Sequence, residues 1–267
     1  MSVPFWLTIP QFDNSFAATR ELAAGASSLG IAGLFCFDHL VPIGNPQRPV
    51  LEGAATLGAV AAISSVPVGS LVTRVTLRPP PVTAALATTL RAVGGNQAVL
   101  GLGAGDRLSG DEAVRYGMEQ PGFSERIAVL EMTISLIRQN TPDLQVWVGG
   151  RHPRIRDVAA RLADGWNAWG ATPAEFALEA AGVLAQSRRD LTISWGGGIL
   201  LAGSSEALAQ EVAKRGSIDG VIAGTPEKVT ARLAEIAAVA DRMVVSVLPN
   251  RPANWDLFAT EVLGRLT

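Results

Sequence analysis

Cysteine and histidine are scarce in this 267-residue sequence, and their scarcity excludes some structural classes. Cysteine occurs once, at Cys36, so the chain cannot form an intramolecular disulfide. His39 and His152 are the only histidines, too few beside one cysteine for the Cys/His set of a structural zinc site. We therefore predict no metal centre, and the single thiol favours a reducing, cytoplasmic location.

Charge is also sparse, at 17% of residues, and it is balanced between the two signs. The 22 basic and 24 acidic side chains give a net charge of −2, and the basic ones are scattered along the chain. Nucleic-acid binding requires a basic patch that neutralises phosphates, so we expect no nucleic-acid partner.

The sequence contains no segment that we interpret as a membrane anchor. Residues 1–6 lack the basic region that opens a secretory signal. Residues 53–72 carry no charge and are long enough to span a bilayer, but Ser64 to Pro67 divide them into a helical half and a β-branched half. This stretch predicts a helix, a turn and a strand.

Apolar residues, in contrast, make up 48% of the chain, and 28 glycines permit many tight turns. Short β-rich runs alternate with helical patterns, as in repeated βα units. The predicted strands lie near 3–9, 31–37, 66–72, 97–103, 144–149, 165–169, 192–201 and 242–248. The predicted helices lie near 14–29, 50–64, 82–93, 121–140, 153–163, 173–188, 205–215, 225–239 and 254–265.

Eight strands in about 250 residues predict a single (β/α)8 barrel domain over residues 1–267. An open, doubly wound sheet is the alternative, because a strand count does not prove closure. Two helices between the seventh and eighth strands predict an insertion around residues 216–224.

Functional residues of such barrels stand at the carboxyl ends of strands. The second strand ends in Asp38 and His39, an acid/base candidate because imidazole titrates near neutral pH and a carboxylate can fix its tautomer. The alternative is a polar strand end that caps the next loop. On the third strand, Gly69-Ser70 indicates either a bulge, a close approach to a ligand, or a small-residue kink.

The fourth strand ends in a glycine-rich run, LGLGAGDR. It is not a dinucleotide fingerprint, since Asp106 stands where the third glycine belongs and no helix is predicted to follow directly. Gly103 and Gly105 would instead let a flat ring approach, with Asp106 as a candidate proton donor. The other interpretation is a tight turn with a solvated aspartate.

The fifth strand runs into Gly149, Gly150 and Arg151 just before a predicted helix. Free backbone amides at a helix start and a guanidinium favour an anion, which predicts a phosphate site. The two lysines, Lys214 and Lys228, fall in predicted helices, which argues against a Schiff-base aldolase.

Together these segments resemble the luciferase-like family of flavin-dependent and F420-dependent oxidoreductases. The matching stretches, in order along most of the chain, are FCFDHL, VGSLVTRVTLRPP, LGLGAGDRLSGDEAVRYG, VWVGGRHPRIRDVAARLADGW and GTPEKVTARLAEIA. The resemblance implies a (β/α)8 barrel, a cofactor ring at its carboxyl-end mouth and a homodimer. The short length leaves little room for insertions that would roof the pocket, so the substrate stays unassigned.

The resemblance also implies roles for individual residues. A non-proline cis peptide is expected on the third strand, at Ser70–Leu71. Asp38, His39 and Thr73 are expected near the ring, and Gly149 and Gly150 on the phosphate.

His39 and Asp106 look like the positions at which F420-dependent members carry a protein acid, so coenzyme F420 is the expected cofactor. The expected activity is hydride exchange between F420 and a small organic substrate, with the proton moved by His39 or Asp106. An FMN-dependent monooxygenase or reductase is the first alternative, because a flavin can activate oxygen and a deazaflavin cannot. A barrel that binds a phosphorylated metabolite without redox chemistry is the second.

Overall fold

A computed structural model describes residues 3–42, 47–215 and 217–266 of the chain. The strands are β1 Phe5–Thr8, β2 Gly33–Cys36, β3 Val68–Arg74, β4 Val99–Gly103, β5 Gln145–Gly149, β6 Gly165–Trp169, β7 Thr192–Leu201, β8 Val221–Gly224 and β9 Arg242–Leu248. The helices are α1 Ala17–Gly25, α2 Gly53–Ile63, α3 Pro80–Gly94, α4 Arg107–Arg115, α5 Phe123–Asn140, α6 Pro153–Leu162, α7 Pro173–Gln186, α8 Ser205–Arg215, α9 Pro226–Ala237, α10 Pro252–Phe258 and α11 Gly264–Leu266.

Within this described part, eight parallel strands close into a barrel, which confirms the predicted fold. Strands β1 to β6 pair in sequence order, β9 pairs with β1, and β7 joins β9 to β6. A parallel sheet with alternating helices buries both of its faces, which explains why its strands read as continuous apolar runs. No helix in the described ranges is long and apolar enough to cross a membrane.

Two elements differ from the sequence prediction. A ninth strand, β8, pairs with the carboxyl half of β7 inside the predicted insertion, for which no strand was expected; Gly216 lies outside the described residues. Helix α4 follows β4 almost at once, whereas no helix was expected between the fourth strand and residue 121. Asp106 starts this helix by accepting hydrogen bonds from the amide and hydroxyl of Ser109, a cap that offsets weak intrinsic helix propensity.

The interior of the barrel is filled by aromatic rings, each opposite a glycine on the next strand. Trp6 pairs in register with Gly33, Phe35 with Gly69, and Trp147 with Gly165. A Cβ atom on any of these glycines would overlap the facing ring. The three rings pack together, with centroids 4.8 to 6.5 Å apart. They form a solid plug that separates the two ends of the barrel.

Candidate active site

A cavity of about 520 Å³ opens at the carboxyl ends of β2 to β6. This volume lies within the range of small-molecule and cofactor sites. Its lining is mainly apolar with a few polar groups, and comprises Phe37, Asp38, His39, Leu71, Val72, Arg74, Gly103, Ala104, Gly105, Asp106, Leu108, Phe123, Gly149, Gly150, Arg151, His152, Ile155, Asn167 and Trp169. Nine of the eleven sequence-predicted site residues are among them; Ser70 and Thr73 are not.

The floor of this cavity is a bulge in β3. Ser70 pairs with Leu100 and Thr73 with Leu102, so two residues on β3 face one on β4. The non-proline cis peptide joins the two residues of the bulge, Leu71 and Val72. The prediction of a cis bond at Ser70–Leu71 was therefore wrong by one residue, because Ser70 still keeps its regular register with β4.

Ser70 and Thr73 hold the bulge from below. The Thr73 hydroxyl donates to Ser70 Oγ at 2.8 Å, and the Ser70 hydroxyl donates to the carbonyl oxygen of Gly101 at 2.9 Å. Both side chains are buried. Their hydroxyl donors are thus already used within the protein, and the structure does not bring either residue to the cavity.

The side chain of Val72 explains why two of the predicted site positions, 103 and 149, are glycine. A Cβ atom on Gly103 would overlap Val72 Cγ2, and one on Gly149 would lie 2.6 Å from Val72 Cγ1. From the sequence, Gly103 was expected to leave room for a flat ring. In the structure, the space beside Gly103 is occupied by Val72, whose outer surface forms part of the cavity wall.

His39 is held by a carboxylate from another element. Its Nδ1 lies 2.7 Å from Oε1 of Glu112, a buried residue of α4. The second carboxylate oxygen, Oε2, accepts the backbone N–H of Leu40 at 3.2 Å and pairs with Arg74 Nη1 at 2.9 Å. Burial raises the pKa of Glu112, but the hydrogen bond and charge of His39, the Leu40 amide and the Arg74 charge together hold it below its usual range.

Because Glu112 is ionised at neutral pH, Nδ1 of His39 carries the proton in their shared hydrogen bond. Nε2 has no protein partner within the described residues. The hydrogen bond to Glu112 therefore fixes the orientation of the His39 imidazole and leaves Nε2 free for proton transfer. Glu112 was not among the predicted site residues, because no helix was expected at α4. The capping residue Asp106 followed by an amphipathic pattern is the signal that could have revealed it.

Asp38 is not the carboxylate partner of His39. Its Oδ2 accepts the Arg74 amide at 3.0 Å and Arg78 Nη1 at 2.8 Å, while Oδ1 accepts Arg78 Nη2 at 3.1 Å. Arg78 also pairs with Glu52, the N-cap of α2. The buried Asp38 carboxylate therefore ties the ends of β2 and β3 to α2, and both of its oxygens accept hydrogen bonds from these segments.

Asp106 lies at the rim of the cavity as the N-cap of α4. Burial raises its pKa, but hydrogen bonds from the Ser109 amide and hydroxyl and the charge of His39 outweigh this and lower it overall. An aspartate with a lowered pKa carries no proton to donate at neutral pH. This environment argues against the proton-donor role suggested by the sequence.

The predicted phosphate end of the cavity is the start of α6. The Gly150 amide is already committed, because it donates to the Asn167 carbonyl oxygen at 3.1 Å. Arg151 binds Glu179, with Nε–Oε2 and Nη2–Oε1 distances of 3.0 and 2.9 Å, and also pairs with Glu175. Its guanidinium is therefore largely neutralised.

The backbone N–H groups that remain free to bind an anion lie after the predicted Gly149 and Gly150 in the chain. The backbone amides of Arg151 and His152 have no hydrogen-bond partner within the described residues, and they directly precede Pro153, the first residue of α6. His152 caps α6, accepting the Arg154 amide on Nδ1 at 3.2 Å. Unused amides at a helix start fit a phosphate group, and the adjoining apolar cavity fits a planar ring.

Comparisons with known proteins agree with this geometry. A family model described as luciferase-like monooxygenase matches residues 4–243. A search of curated protein sequences finds no significant match. Three solved structures are similar in fold over 100% of this chain at low sequence identity.

The first is an F420-dependent secondary alcohol dehydrogenase in complex with an F420-acetone adduct, with 13% identity, a TM-score of 0.83 and all of that chain covered. The second is a coenzyme F420-dependent tetrahydromethanopterin reductase from Methanopyrus kandleri, with 17% identity, a TM-score of 0.76 and all of that chain covered. The third is the EDTA monooxygenase EmoA from Chelativorans sp. BNC1, with 12% identity, a TM-score of 0.78 and 93% of that chain covered.

Proposed function

The chain belongs to the luciferase-like monooxygenase family, and we propose that it uses coenzyme F420 to exchange hydride with a small organic substrate, with His39 moving the accompanying proton. The observation that carries this proposal is the 2.7 Å hydrogen bond between His39 Nδ1 and the buried carboxylate of Glu112 at the cavity wall. A buried carboxylate that orients an imidazole is a recurring arrangement for general acid/base catalysis.

The residues of the cavity suit a cofactor with a planar ring and a phosphate. Leu71 and Val72 would lie beneath the ring, and the free amides of Arg151 and His152 would hold the phosphate. Arg126 supports this end of the site, since its Nη1 donates to the carbonyl oxygens of Ala104 and Gly105 at 2.9 and 2.8 Å. Bound F420 would supply a two-electron hydride carrier.

The chain's own contribution to the reaction is proton movement at His39. Protonated Nδ1 faces the Glu112 carboxylate, so Nε2 is the nitrogen that gives or takes a proton on the cavity side. Arg74 stabilises the ionised carboxylate through its 2.9 Å ion pair, which keeps Glu112 from taking the imidazole proton itself. Phe37 and Trp169, in edge-to-face contact at 5.6 Å, line the same cavity and limit water near the imidazole.

We prefer F420 over FMN for two reasons. His39 is positioned to transfer the proton, and two of the structures similar in fold are named as F420-dependent. FMN-dependent oxygen chemistry is the second candidate. It is favoured by the similar structures of a monooxygenase and of a riboflavin lyase with modified FMN. A phosphometabolite-binding barrel without redox chemistry would use the α6 amides but has no need of the His39–Glu112 pair.

A direct test is to titrate the purified protein with F420 and with FMN and to follow cofactor fluorescence. We expect saturable binding of F420 that is at least tenfold tighter than that of FMN. His39→Ala should bind F420 normally but turn over a hydride-accepting or hydride-donating substrate about 10²–10⁴-fold more slowly. Tighter binding of FMN would transfer the proposal to the flavin alternative, and binding of neither would favour the non-redox barrel.

A homodimer is also proposed from the family resemblance. Light scattering of the purified chain during size-exclusion chromatography measures the mass directly. A single species at the monomer mass across the accessible concentrations would contradict it.

A further inference from the structure

A second cavity, of about 260 Å³, opens at the opposite end of the barrel from the candidate active site. It is lined by residues at or just before the amino ends of the strands, namely Pro4, Trp6, Ala32, Pro67, Asn96, Gln97, Gln145 and Arg242. The aromatic plug of Trp6, Phe35 and Trp147 separates it from the cofactor cavity. We call it the amino-end cavity.

Arg242 is the one charged residue that lines this cavity among the described residues. Its guanidinium lies over two rings of the plug, with Cζ 5.3 Å from the Trp6 centroid and 5.6 Å from the Trp147 centroid. No ion pair or hydrogen bond of its guanidinium occurs within the described residues. Loss of hydration lowers its pKa, although the nearby charge of Asp241 opposes this.

The adjacent carboxylate of Asp241 forms no ion pair with Arg242 within the described residues. Asp241 Oδ2 accepts the Ile193 amide at 2.7 Å and so fastens β9 to β7. A half-buried guanidinium is normally paired, because removing a charge from water is costly. Contact with two indole rings offsets part of that cost but gives the five N–H donors of the guanidinium no protein acceptor among the described residues.

The remaining polar groups of the cavity are carboxamides. Asn96, Gln97 and Gln145 line it, and their side chains have no hydrogen-bond partner in the part of the chain that the structure describes. Each offers both a donor and an acceptor. One unpaired cation beside neutral amides, with no acidic residue in the lining, matches a ligand with one negative charge and a neighbouring hydroxyl or carbonyl group.

We propose that the amino-end cavity binds a small hydroxy- or oxo-carboxylate through Arg242. A carboxylate accepts two parallel hydrogen bonds from the guanidinium fork, and the carboxamides can bind the neighbouring oxygen. A doubly charged phosphate ester would leave one charge without a counterion in the described lining. At roughly 30 Å³ per water, the cavity has room for a molecule of at most about nine non-hydrogen atoms.

Sodium L-lactate is a suitable probe, and propane-1,2-diol is its matched control, because the diol has the same carbon skeleton without the carboxylate. Isothermal titration of the full chain without cofactor should give saturable, one-to-one lactate binding with a Kd of about 1 mM or below. The diol should not bind. Lactate should also raise the unfolding temperature in a concentration-dependent way.

Three variants locate the bound lactate. Arg242→Gln should weaken lactate binding at least tenfold, and Gln145→Leu, which keeps the cation over the indoles, should weaken it several-fold. Arg265→Gln removes a guanidinium from an exposed ion pair with Glu227 and should leave the affinity unchanged. All three should bind F420 like the unaltered protein.

The proposal would be overturned if lactate shows no saturable binding. It would also be overturned if Arg242→Gln and Gln145→Leu both bind lactate as tightly as the unaltered protein does. If Arg242→Gln does not fold, Gln145→Leu still decides the matter. If both variants bind lactate as tightly as the unaltered protein, and F420 abolishes this binding, lactate would lie in the cofactor cavity instead.

Discussion

Glu112 and His39 are 73 residues apart in the chain, yet the carboxylate of one lies 2.7 Å from the imidazole Nδ1 of the other. The contact joins α4 to the end of β2 across the mouth of the barrel. It selects, of the two tautomers of neutral histidine, the one that carries its proton on Nδ1. Glu112 is therefore the residue through which the proposed acid/base function of His39 is positioned.

Replacing Glu112 tests this positioning role. Glu112→Gln keeps the shape but removes the charge, so we expect turnover to fall about 10–100-fold with little change in F420 affinity. Glu112→Asp should recover part of the loss. The dependence of turnover on pH should also shift in Glu112→Gln, which a purely structural residue would not cause. Unchanged turnover and pH profile in a folded Glu112→Gln variant would contradict the assignment.

The lowered pKa of Glu112 makes a separate prediction for stability. In the unfolded chain a glutamate titrates near about 4.3. Since the folded pKa is lower, the stabilisation is fully present above the unfolded pKa and is lost as the pH falls through the folded value. The difference in unfolding free energy between the unaltered protein and Glu112→Gln, measured with urea, should therefore be constant near pH 7 and shrink on acidification below about pH 4.3. A difference that grows as the pH falls below about 4.3 would contradict it.

Asp106 offers the competing carboxylate, and two substitutions separate its charge from its capping role. Asp106→Asn retains a capping oxygen and should keep turnover within about threefold, because an ionised aspartate is not a proton donor. Asp106→Ala removes the cap and should destabilise the protein by about 1 kcal/mol in urea unfolding. Loss of turnover in Asp106→Asn with F420 still bound would return the proton-donor role to Asp106.

The fold was predictable from local pattern, whereas much of the site depends on contacts that pattern does not contain. The β-branched runs and the alternation with helices located all eight barrel strands. The Gly69-Ser70 pair indicated the bulge on β3 but not which peptide within it is cis, because that depends on pairing with Leu100 and Leu102.

The same limit applies to the charged groups. Asp38 and His39 are adjacent in sequence, which suggested that they act as a pair, but Arg78 and Glu112 reach them from distant segments and separate their roles. Likewise, Gly149 and Gly150 predict an anion site in this region, yet the Gly150 amide donates to the Asn167 carbonyl oxygen. Sequence identified the strand ends, and tertiary contacts determined which atoms there remain free.

The packing of Val72 against Gly103 can be tested by a double-mutant cycle. Gly103→Ala places a methyl group where Val72 Cγ2 lies, so we expect a loss of about 1–3 kcal/mol in urea unfolding. Val72→Ala removes that methyl and should recover part of the loss when the two substitutions are combined. Strictly additive effects would show that the two residues do not compete for the same space.

The proposed anion site at α6 can be tested at a single backbone N–H. His152 has φ −62° and ψ 138°, a conformation that proline adopts without strain, so His152→Pro removes the amide donor while keeping the backbone path. His152→Ala removes the same imidazole and the same cap on the Arg154 amide but retains the donor. A hydrogen bond to a charged group contributes about 1.5–3 kcal/mol, so His152→Pro should bind F420 at least tenfold more weakly than His152→Ala. Unfolding curves of the two variants show whether their stabilities match, and inorganic phosphate should compete with F420 for His152→Ala but less so for His152→Pro. If the two variants bind F420 equally well, the phosphate does not contact the His152 amide.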